Sequence, residues 1–395
     1  MTDPAIAATA PTAQTQHVCG LDPASGQPMV VELRDGRVYA QRFEAHPQTG
    51  WLSAGLIDLQ VNGFAGHDLN GPTLTVETVH QLALAMLRCG VTTFLPTLIT
   101  ASEAQLTHAL GVIAQARREV PLVARMAPYV HVEGPAVAPE DGPRGAHPAA
   151  HVRPPSIDEF HRWQAASDGV VGMVTLSPHW PETPEYVAAL VAAGVHVALG
   201  HTDASTQQIK AAVDAGARLS THLGNGSHAR INRQRNPIWT QLAEDRLCAS
   251  FIADGHHLGS DALKVMLRAK GLERALIVSD ATAIGGMPPG RYNASIGGPV
   301  HLSPEGRLSP NDGTGEYLAG AALPMLAGVA TLVRQAGLSL EDALMLATVN
   351  PGRWVGGRGS LAVGQPADLV RFEFDPADSA AARVTGVWLG GRPMV

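Results

Sequence analysis

The sequence predicts an α/β fold, a (β/α)8 TIM barrel with a small β-sandwich domain formed from both termini. The first observation is that short apolar runs alternate about eight times with longer segments of helical periodicity. Each run is β-branched or continuously apolar and ends in polar residues, which is typical of parallel strands buried on both faces. The runs are Leu56–Val61, Thr92–Leu95, Tyr129–Val132, Val170–Leu176, Val195–Leu199, Arg218–Leu223, Ala249–Ala253 and Ala275–Val278. The segments between them predict helices at Val76–Arg88, Ser102–Arg117, Pro184–Ala193, Ser205–Ala215 and Ser260–Ala269.

The second observation is that both ends of the chain differ from the middle. Val30–Leu33 and Arg37–Ala40 are alternating pieces around an Asp-Gly turn, which predicts a hairpin. Ala367–Phe372 and Arg383–Leu389 predict two further strands near the carboxyl end. We therefore expect the two ends to combine into one small β domain, with the barrel between them.

These patterns predict the boundaries of three regions. Residues 17–53 plus 355–395 are expected to form the small β-sandwich domain, and residues 54–354 are expected to form the barrel. Residues 1–16 are rich in Ala, Thr and Pro, so we expect them to form a disordered tail.

The composition excludes several classes of protein. The chain has 395 residues, of which 45% are hydrophobic and 16% charged, so it can bury a sizeable core and is not a disordered chain. A nucleic-acid partner is disfavoured by the formal net charge of -7 and by the aromatic content of 5%.

The cysteines and the apolar stretches indicate where in the cell the protein is located. Cys19, Cys89 and Cys248 form neither a disulfide framework nor a zinc motif, which indicates reduced thiols and a cytoplasmic protein. The amino-terminal residues carry no Lys or Arg before His17 and no clean apolar run, so they do not resemble a signal peptide. The longest apolar stretches, near Val187–Leu199 and Leu318–Val333, fall short of the ~20 residues that a membrane span needs.

The polar residues that end the apolar runs are the candidate site residues, because a barrel of this type carries its catalytic groups at the carboxyl ends of its strands. Carboxylates, imidazoles and carboxamides follow six of the runs. They are Asp58, Gln60, Asn62, His131, Glu133, His201, His222, Asn225, Asp254, His256, His257 and Asp280.

Four of these residues predict a catalytic metal site. Glu133, His201 and His222 supply three nitrogen or oxygen ligands and leave a fourth position for water, as in an open zinc site. A metal ion there would lower the pKa of the water toward about 7, and Asp280 would act as the general base. The alternative is that the histidines are hydrogen-bonded structural residues and that Asp280 caps a turn. The convergence of all four residues on one rim favours the metal site.

Short motifs run in order through nearly the whole chain. They are Gly55–Gly66, Gly90–Thr97, His131–Pro135, Gly145–Pro148, Gly200–Ser205, Thr221–Asn225, Ile252–His257, Ser279–Ala283, Leu318–Gly320, Ala347–Pro351 and Gly364–Val370. In combination they resemble the N-acetylglucosamine-6-phosphate deacetylase family of the amidohydrolase superfamily. The resemblance implies a barrel with a small β-sandwich built from both termini. It also implies that Glu133, His201 and His222 hold the metal and that Asp280 is the catalytic acid and base.

The resemblance further implies a reaction and a set of substrate contacts. The reaction is hydrolysis of the N-acetyl group of N-acetylglucosamine-6-phosphate to glucosamine-6-phosphate and acetate, in amino-sugar catabolism. The implied contacts are His147, Asn225, the backbone of Gly226, His257, and the loop of Leu318, Ala319 and Gly320. His257 matches a residue that reaches the substrate of a neighbouring subunit, which implies a homodimer with His257 near the partner's active site. The alternative for His257 is a packing role.

Gln60 and Asn62 bear on the number of metal ions. Many members of the superfamily carry His-x-His at this strand end to hold a second ion, and alternate residues of a strand face the same way. Neutral carboxamides are poor ligands for such an ion, so we expect one divalent metal per subunit, Zn²⁺, with Fe²⁺ and Co²⁺ as alternatives. We expect Gln60 and Asn62 to face the substrate instead. The pair also disfavours a dihydroorotase-like enzyme, which combines His-x-His with a modified lysine on the fourth strand.

Three departures from the family pattern leave the substrate open. Gly224–Ser227 replaces an aromatic-Asn-Ala-Met run. Ungapped alignment with the family matches Arg233 to its phosphate-clamping arginine, with Arg235 as one alternative. The other alternative is that both arginines are solvated surface charges. His179 stands where the family has Glu, and it either contacts the substrate or caps a turn. A different N-acetylated amino sugar or amine is therefore the alternative substrate, and a catalytically inactive barrel that serves as a binding protein is the alternative of another class.

Overall fold

Strands and helices alternate along the part of the chain that this computed structural model describes, residues 15–311, 318–377 and 382–395. The strands are β1 (Gln16–Leu21), β2 (Pro28–Arg34), β3 (Arg37–Phe43), β4 (Trp51–Ala54), β5 (Leu56–Val61), β6 (Gly63–Phe64), β7 (His67–Asp68), β8 (Val91–Ile99), β9 (Val130–Glu133), β10 (Val171–Leu176), β11 (His196–Leu199), β12 (Leu219–Ser220), β13 (Cys248–Ile252), β14 (Ala275–Val278), β15 (Gly290–Ala294), β16 (Gly298–Leu302), β17 (Leu308–Pro310), β18 (Leu369–Glu373), β19 (Arg383–Leu389) and β20 (Arg392–Pro393). The α-helices are α1 (Val76–Arg88), α2 (Glu103–Glu119), α3 (Pro121–Met126), α4 (Ile157–Ala166), α5 (Thr183–Ala192), α6 (Thr206–Ala215), α7 (Pro237–Ala243), α8 (Ser260–Lys270), α9 (Met325–Thr331), α10 (Leu340–Met345) and α11 (Val349–Gly352).

Strands β5 and β8 to β14 form the eight-stranded barrel that the sequence predicts. Each strand pairs in parallel with the next one along the barrel. A bridge between Val61 and Ala281 brings the first and last strands together. Beside this bridge, the backbone N–H of Asp280 donates to the carbonyl of Gln60 at 3.0 Å. The barrel therefore closes at a point where two of the predicted site residues lie.

Apolar side chains fill the interior of the barrel on one side of the site. Ile57 and Leu59 of β5 pack there with Met173 and with apolar residues of the other barrel strands. At the amino-terminal end of the strands, the hydroxyl of Tyr129 donates to the carbonyl of Trp354 at 2.6 Å. This packing excludes water from one side of the site, which strengthens the electrostatic interactions above it.

Capping residues explain where the predicted helices begin. Ser102 and Gln105 form a capping box at the start of α2, and Ser205 and Gln208 form the same arrangement at the start of α6. The side chain of Thr75 accepts the backbone N–H of Thr78 at 3.1 Å and caps α1. The helices that the sequence predicts in these segments are confirmed.

Both ends of the described chain contribute to one small β domain, as predicted. Its sheet has the strand order β20-β19-β18-β4-β1-β2-β3, and β4 pairs antiparallel with β18. Strands β1 and β4 pair only at Leu21 and Trp51. Side chains from the two parts of the sheet pack around one apolar cluster, which includes Val31 and Leu369.

Two further observations concern the predicted amino-terminal tail and membrane-spanning helices. The tail predicted at residues 1–16 falls outside the described residues, apart from its last two positions. Among the described residues, no helix is both long enough and apolar enough to cross a membrane.

Candidate metal centre and active site

Four strand ends place the predicted metal ligands and the predicted base on one face of the barrel. Glu133 is the last residue of β9, and His201 lies two residues beyond β11. His222 lies two residues beyond β12, and Asp280 two residues beyond β14. This is the carboxyl end of the barrel strands, where enzymes with this fold carry their catalytic groups.

His201, His222 and Asp280 share an uncommon backbone conformation. Their φ angles are 48°, 30° and 50°, in the left-handed region that residues other than glycine rarely adopt. The carbonyl of His201 accepts the N–H of Ala138 at 2.9 Å, and the N–H of His222 donates to Ser250 Oγ at 2.8 Å. Strained conformations of this kind persist only where surrounding contacts impose them, and they concentrate at functional sites.

The carboxylate of Glu133 is the centre of the cluster. Its Oε1 atom lies 2.9 Å from Nε2 of His222 and 3.3 Å from Nε2 of His201, and it accepts the side-chain N–H of Gln60 at 3.0 Å. Burial alone would raise the pKa of Glu133, but the two histidines hold that pKa well below its ordinary value. The group is therefore a buried carboxylate, which is the ionised form that a metal ligand requires.

The tautomer of His201 follows from its contact with a backbone carbonyl. Its Nδ1 atom lies 2.8 Å from the carbonyl oxygen of Pro143, which can only accept a hydrogen bond. Nδ1 therefore carries a proton, and in the singly protonated ring the lone pair is on Nε2, the atom that faces Glu133. This is the arrangement that orients a metal-binding histidine in known sites.

His147 joins the same cluster with the opposite tautomer. Its Nδ1 atom accepts the backbone N–H of Thr100 at 3.4 Å and lies 2.7 Å from the hydroxyl of that residue. The ring proton is therefore on Nε2, which lies 3.2 Å from Nε2 of His201 and 3.6 Å from Oε2 of Glu133. Burial, reinforced by His201, lowers the pKa of His147 well below its ordinary value, so the ring is a neutral hydrogen-bond donor.

The residues present fit a divalent metal ion. In the described chain, single ligand atoms of Glu133, His147 and His201 lie within 4.8 Å of one another. His222 approaches Glu133 more closely than either of the other histidines does. Because Nε2 of His147 carries the ring proton and Nε2 of His201 carries a lone pair, His201 suits a metal ion better than His147 does. One carboxylate and two imidazoles are a common donor set for zinc and related ions.

Asp280 is fixed by Asn62. The Asn62 side-chain N–H donates to Oδ1 of Asp280 at 2.8 Å, which leaves the other carboxylate oxygen of Asp280 for a reacting group. Burial raises the pKa of Asp280 to about 7, with His222 opposing the rise and Glu133 adding to it. A carboxyl group with this pKa can both accept and release a proton near neutral pH.

Asn225 and Gly226 contact the cluster directly, and His257 follows the seventh barrel strand, β13. The Asn225 amide donates to the backbone carbonyl of His222 at 3.2 Å. Gly226 has a φ of 56°, and a Cβ atom there would lie 2.7 Å from Nδ1 of His201, so no other residue fits. His257 is held through Nδ1 by Oδ2 of Asp254 at 2.7 Å, which leaves its Nε2 atom for another partner.

The remaining predicted contacts are less closely tied to the cluster. Ala319 is buried and Gly320 packs against Thr282 beside Asp280, whereas Leu318 is partly exposed. The side chains of Arg233 and Arg235 are exposed and have no hydrogen-bond or ion-pair partner in the described part of the chain.

Three supporting residues were not identified from the sequence. Thr100 fixes the tautomer of His147, the carbonyl of Pro143 fixes that of His201, and Ser250 holds the backbone of His222. Only Ser250 lies in a predicted strand, and nothing in the sequence distinguishes its hydroxyl from that of any buried serine. Thr100 and Pro143 lie outside the strands and helices, in segments that meet the histidines only in the folded chain.

The strand ends of this parallel barrel bring together a buried carboxylate, imidazoles and an aspartate. This arrangement defines the class of metal-dependent barrel hydrolases. The chain belongs to the amidohydrolase family, whose model matches residues 51–394.

Individual relatives agree with this assignment. The chain is 30% identical over 371 residues to the N-acetylglucosamine-6-phosphate deacetylase of Vibrio furnissii, a match that covers 93% of this chain and 88% of the relative. It is 33% identical over 347 residues to the N-acetylgalactosamine-6-phosphate deacetylase of Shewanella sp. (strain ANA-3), with 87% and 83% coverage. The crystal structure of N-acetyl-D-glucosamine-6-phosphate deacetylase from Mycobacterium smegmatis is similar with a TM-score of 0.84 at 29% identity, over 95% of this chain and 98% of that one.

Proposed function

We propose that the chain is a metal-dependent deacetylase that hydrolyses N-acetylglucosamine-6-phosphate to glucosamine-6-phosphate and acetate in amino-sugar catabolism. The observation that carries this proposal is the convergence of Asp280 with the cluster of Glu133, His201 and His222 at the barrel's carboxyl end. The similarity to deacetylases of two amino-sugar phosphates over most of the chain supports the substrate class.

The proposal includes one divalent cation per subunit, held by Glu133, His201 and His222. Zn²⁺ is our first choice, and Fe²⁺ and Co²⁺ also suit this donor set. When bound, such an ion polarises the acetyl carbonyl and lowers the pKa of a water molecule. Gln60 and Asn62 support a single ion, because each directs an amide N–H toward a site carboxylate. An N–H donor cannot serve as a metal ligand.

The residues of the chain divide the proton transfers between them. Asp280 accepts a proton from the attacking water at the oxygen that Asn62 leaves free, and then releases it to the leaving amine nitrogen. The Nε2–H of His147 donates to the oxygen of the acetyl carbonyl as negative charge develops there. The neutral tautomer imposed by Thr100 makes this donation available without a charged imidazole.

Further parts of the proposal concern assembly and binding of the phosphate group. We infer a homodimer in which His257 lies near the active site of the partner subunit. We also infer that Arg233 or Arg235 binds the phosphate group. We also infer domain boundaries at residues 17–53 plus 355–395 for the small domain and 54–354 for the barrel. The free cysteines Cys19, Cys89 and Cys248 support a cytoplasmic location.

A second candidate substrate is N-acetylgalactosamine-6-phosphate, which is favoured by the 33% identity to the Shewanella enzyme. Acetate release from the two sugar phosphates and from unphosphorylated N-acetylglucosamine, measured side by side, tests the function. We expect activity that requires the phosphate group. Preference for the galactosamine substrate would select the second candidate, and activity on none of the three would refute the proposal. Wild-type and Asp280→Asn proteins that behave alike would instead support an inactive binding barrel.

A further inference from the structure

His179 lies three residues beyond the end of β10, on the carboxyl-terminal side of the barrel strands. The preceding Ser177 donates its backbone N–H to the carbonyl of Ala136 at 2.8 Å, in the loop after β9. The hydroxyl of Ser177 donates to Oγ1 of Thr202 at 2.7 Å, in the turn that directly follows His201. Ser177 therefore ties the segment that carries His179 to the two loops that carry His147 and His201.

The hydrogen bonds around Ser177 determine the tautomer of His179. Oγ of Ser177 lies 2.7 Å from Nδ1 of His179 as well as 2.7 Å from Oγ1 of Thr202. The serine hydroxyl has one hydrogen, and the bond to Thr202 uses it. The imidazole must therefore donate its Nδ1–H to Ser177, so in the neutral ring the lone pair is on Nε2.

Nε2 of His179 is a fixed acceptor that the protein does not use. No hydrogen bond to it is formed within residues 15–311, 318–377 and 382–395. The ring packs against Trp180 with 4.4 Å between centroids, and the backbone carbonyl of His179 accepts the side-chain N–H of Gln208 at 3.1 Å. Burial lowers the pKa of the half-buried His179, with Glu140 opposing the shift, so the ring is neutral near pH 7.

We propose that Nε2 of His179 accepts a hydrogen bond from a hydroxyl group of the sugar, which makes His179 a specificity-determining residue. A ring nitrogen with a lone pair accepts an O–H, but it repels the oxygens of a phosphate dianion. This part of the mouth therefore contacts the hydroxyl-bearing ring rather than the phosphate group. The inference rests on the proposed function, because it requires an amino-sugar substrate.

Two substitutions separate the two ring nitrogens of His179. His179→Asn retains an N–H near the position of Nδ1, so it can still donate to Ser177, but it has no atom at the position of Nε2. His179→Gln retains a polar amide near the position of Nε2 and lacks the Nδ1 donor. The experiment is steady-state acetate release by the zinc-loaded wild-type protein and both variants, with N-acetylglucosamine-6-phosphate and its 3-deoxy and 4-deoxy analogues.

We expect His179→Asn to raise KM about 3- to 10-fold with little change in kcat, as for the loss of one neutral hydrogen bond. His179→Gln should retain a KM closer to that of the wild type. One of the deoxy analogues should have the same KM with the wild type and with His179→Asn, because it lacks the hydroxyl that His179 binds.

Three results would overturn the inference. An unchanged KM for His179→Asn refutes the contact, and an equal rise in KM with all three substrates shows that the effect is not directed at a hydroxyl. In both cases the wild-type turnover still supports the proposed function. If the wild type turns over neither N-acetylglucosamine-6-phosphate nor N-acetylgalactosamine-6-phosphate, the function and the inference fail together. Thermal unfolding of each variant checks that it is folded. Ser177→Ala frees the tautomer of His179, so we expect it to raise KM by less than His179→Asn does.

Discussion

Replacement of Asn62 by leucine tests how the chain positions its catalytic base. The amide of Asn62 donates to Oδ1 of Asp280 at 2.8 Å, and its own Oδ1 has no partner among the described residues. Leucine has a similar volume, so Asn62→Leu removes one hydrogen bond without opening a large cavity. Hydrogen bonds to charged groups contribute about 1.5–3 kcal/mol, so we expect kcat to fall about 10- to 150-fold because the bond holds Asp280 in position in the transition state.

The assay is acetate release at saturating N-acetylglucosamine-6-phosphate, together with the zinc content of each protein. Gln60→Leu is the matched control, because Gln60 donates to Glu133 at 3.0 Å instead of to Asp280. We expect Asn62→Leu to lower kcat and retain zinc. We expect Gln60→Leu to weaken zinc binding and to retain most of kcat once zinc is saturating.

The contrast between the two variants determines whether the reasoning holds. A wild-type kcat for Asn62→Leu with zinc fully bound would refute the role assigned to the bond between Asn62 and Asp280. Equal losses of zinc in both variants would show that the two amides support one metal-binding carboxylate cluster rather than two separate functions.

Two other predictions concern the metal site and the stability of the fold. Gly226→Ala should weaken zinc binding at least about 10-fold in a chelator competition, because its Cβ would lie 2.7 Å from Nδ1 of His201. Gly194→Ala, at a positive φ with open space around it, is the control and should retain wild-type affinity. Burial lowers the pKa of Lys270 to about 8 from an ordinary value of 10.5, so between these values the folded chain binds fewer protons than the unfolded chain. The free energy of unfolding of the metal-free protein should therefore rise with pH across this window. Relative to Lys270→Met, the rise should be at most about 1.4 kcal/mol per pH unit. An identical slope in both proteins would contradict this prediction.

Much of the barrel is predictable because its strands and helices have strong local signals. The apolar runs at Leu56–Val61 and Ala275–Val278 match β5 and β14 residue for residue, and the predicted helix at Val76–Arg88 matches α1. Strand β8 was predicted only at Thr92–Leu95, whereas it extends over Val91–Ile99. Pro96 lies where the pairing of β5 with β8 is irregular, so its missing N–H does not end the strand.

The three-stranded sheet of β15, β16 and β17 was not predicted. Its strands are short and partly exposed, and β15 and β16 both begin at glycine. Weak periodicity of this kind does not distinguish a strand from a loop. The sheet depends on long-range packing, in which Val300 and Leu302 lie in a small apolar cluster with Ala319 of the predicted substrate loop.

The site was predictable in its residue types but not in its connections. Residues at strand ends converge by the topology of the barrel, so the proximity of Glu133, His201, His222 and Asp280 follows once the fold is known. The approach of His147 to Nε2 of His201 does not follow, because the loop after β9 has no regular structure before residue 149. The division of tasks between Gln60 and Asn62 does not follow either, because alternation along a strand predicts only that both side chains face the same way.

The most direct test of the central claim is a zinc titration of the metal-free protein during turnover of N-acetylglucosamine-6-phosphate. We expect acetate release to rise linearly to a plateau at one ion per chain. Asp280→Asn should bind the same amount of zinc and remain inactive. A plateau that requires two ions per chain, or turnover by Asp280→Asn at the wild-type rate, would contradict a single-metal site with Asp280 as its base.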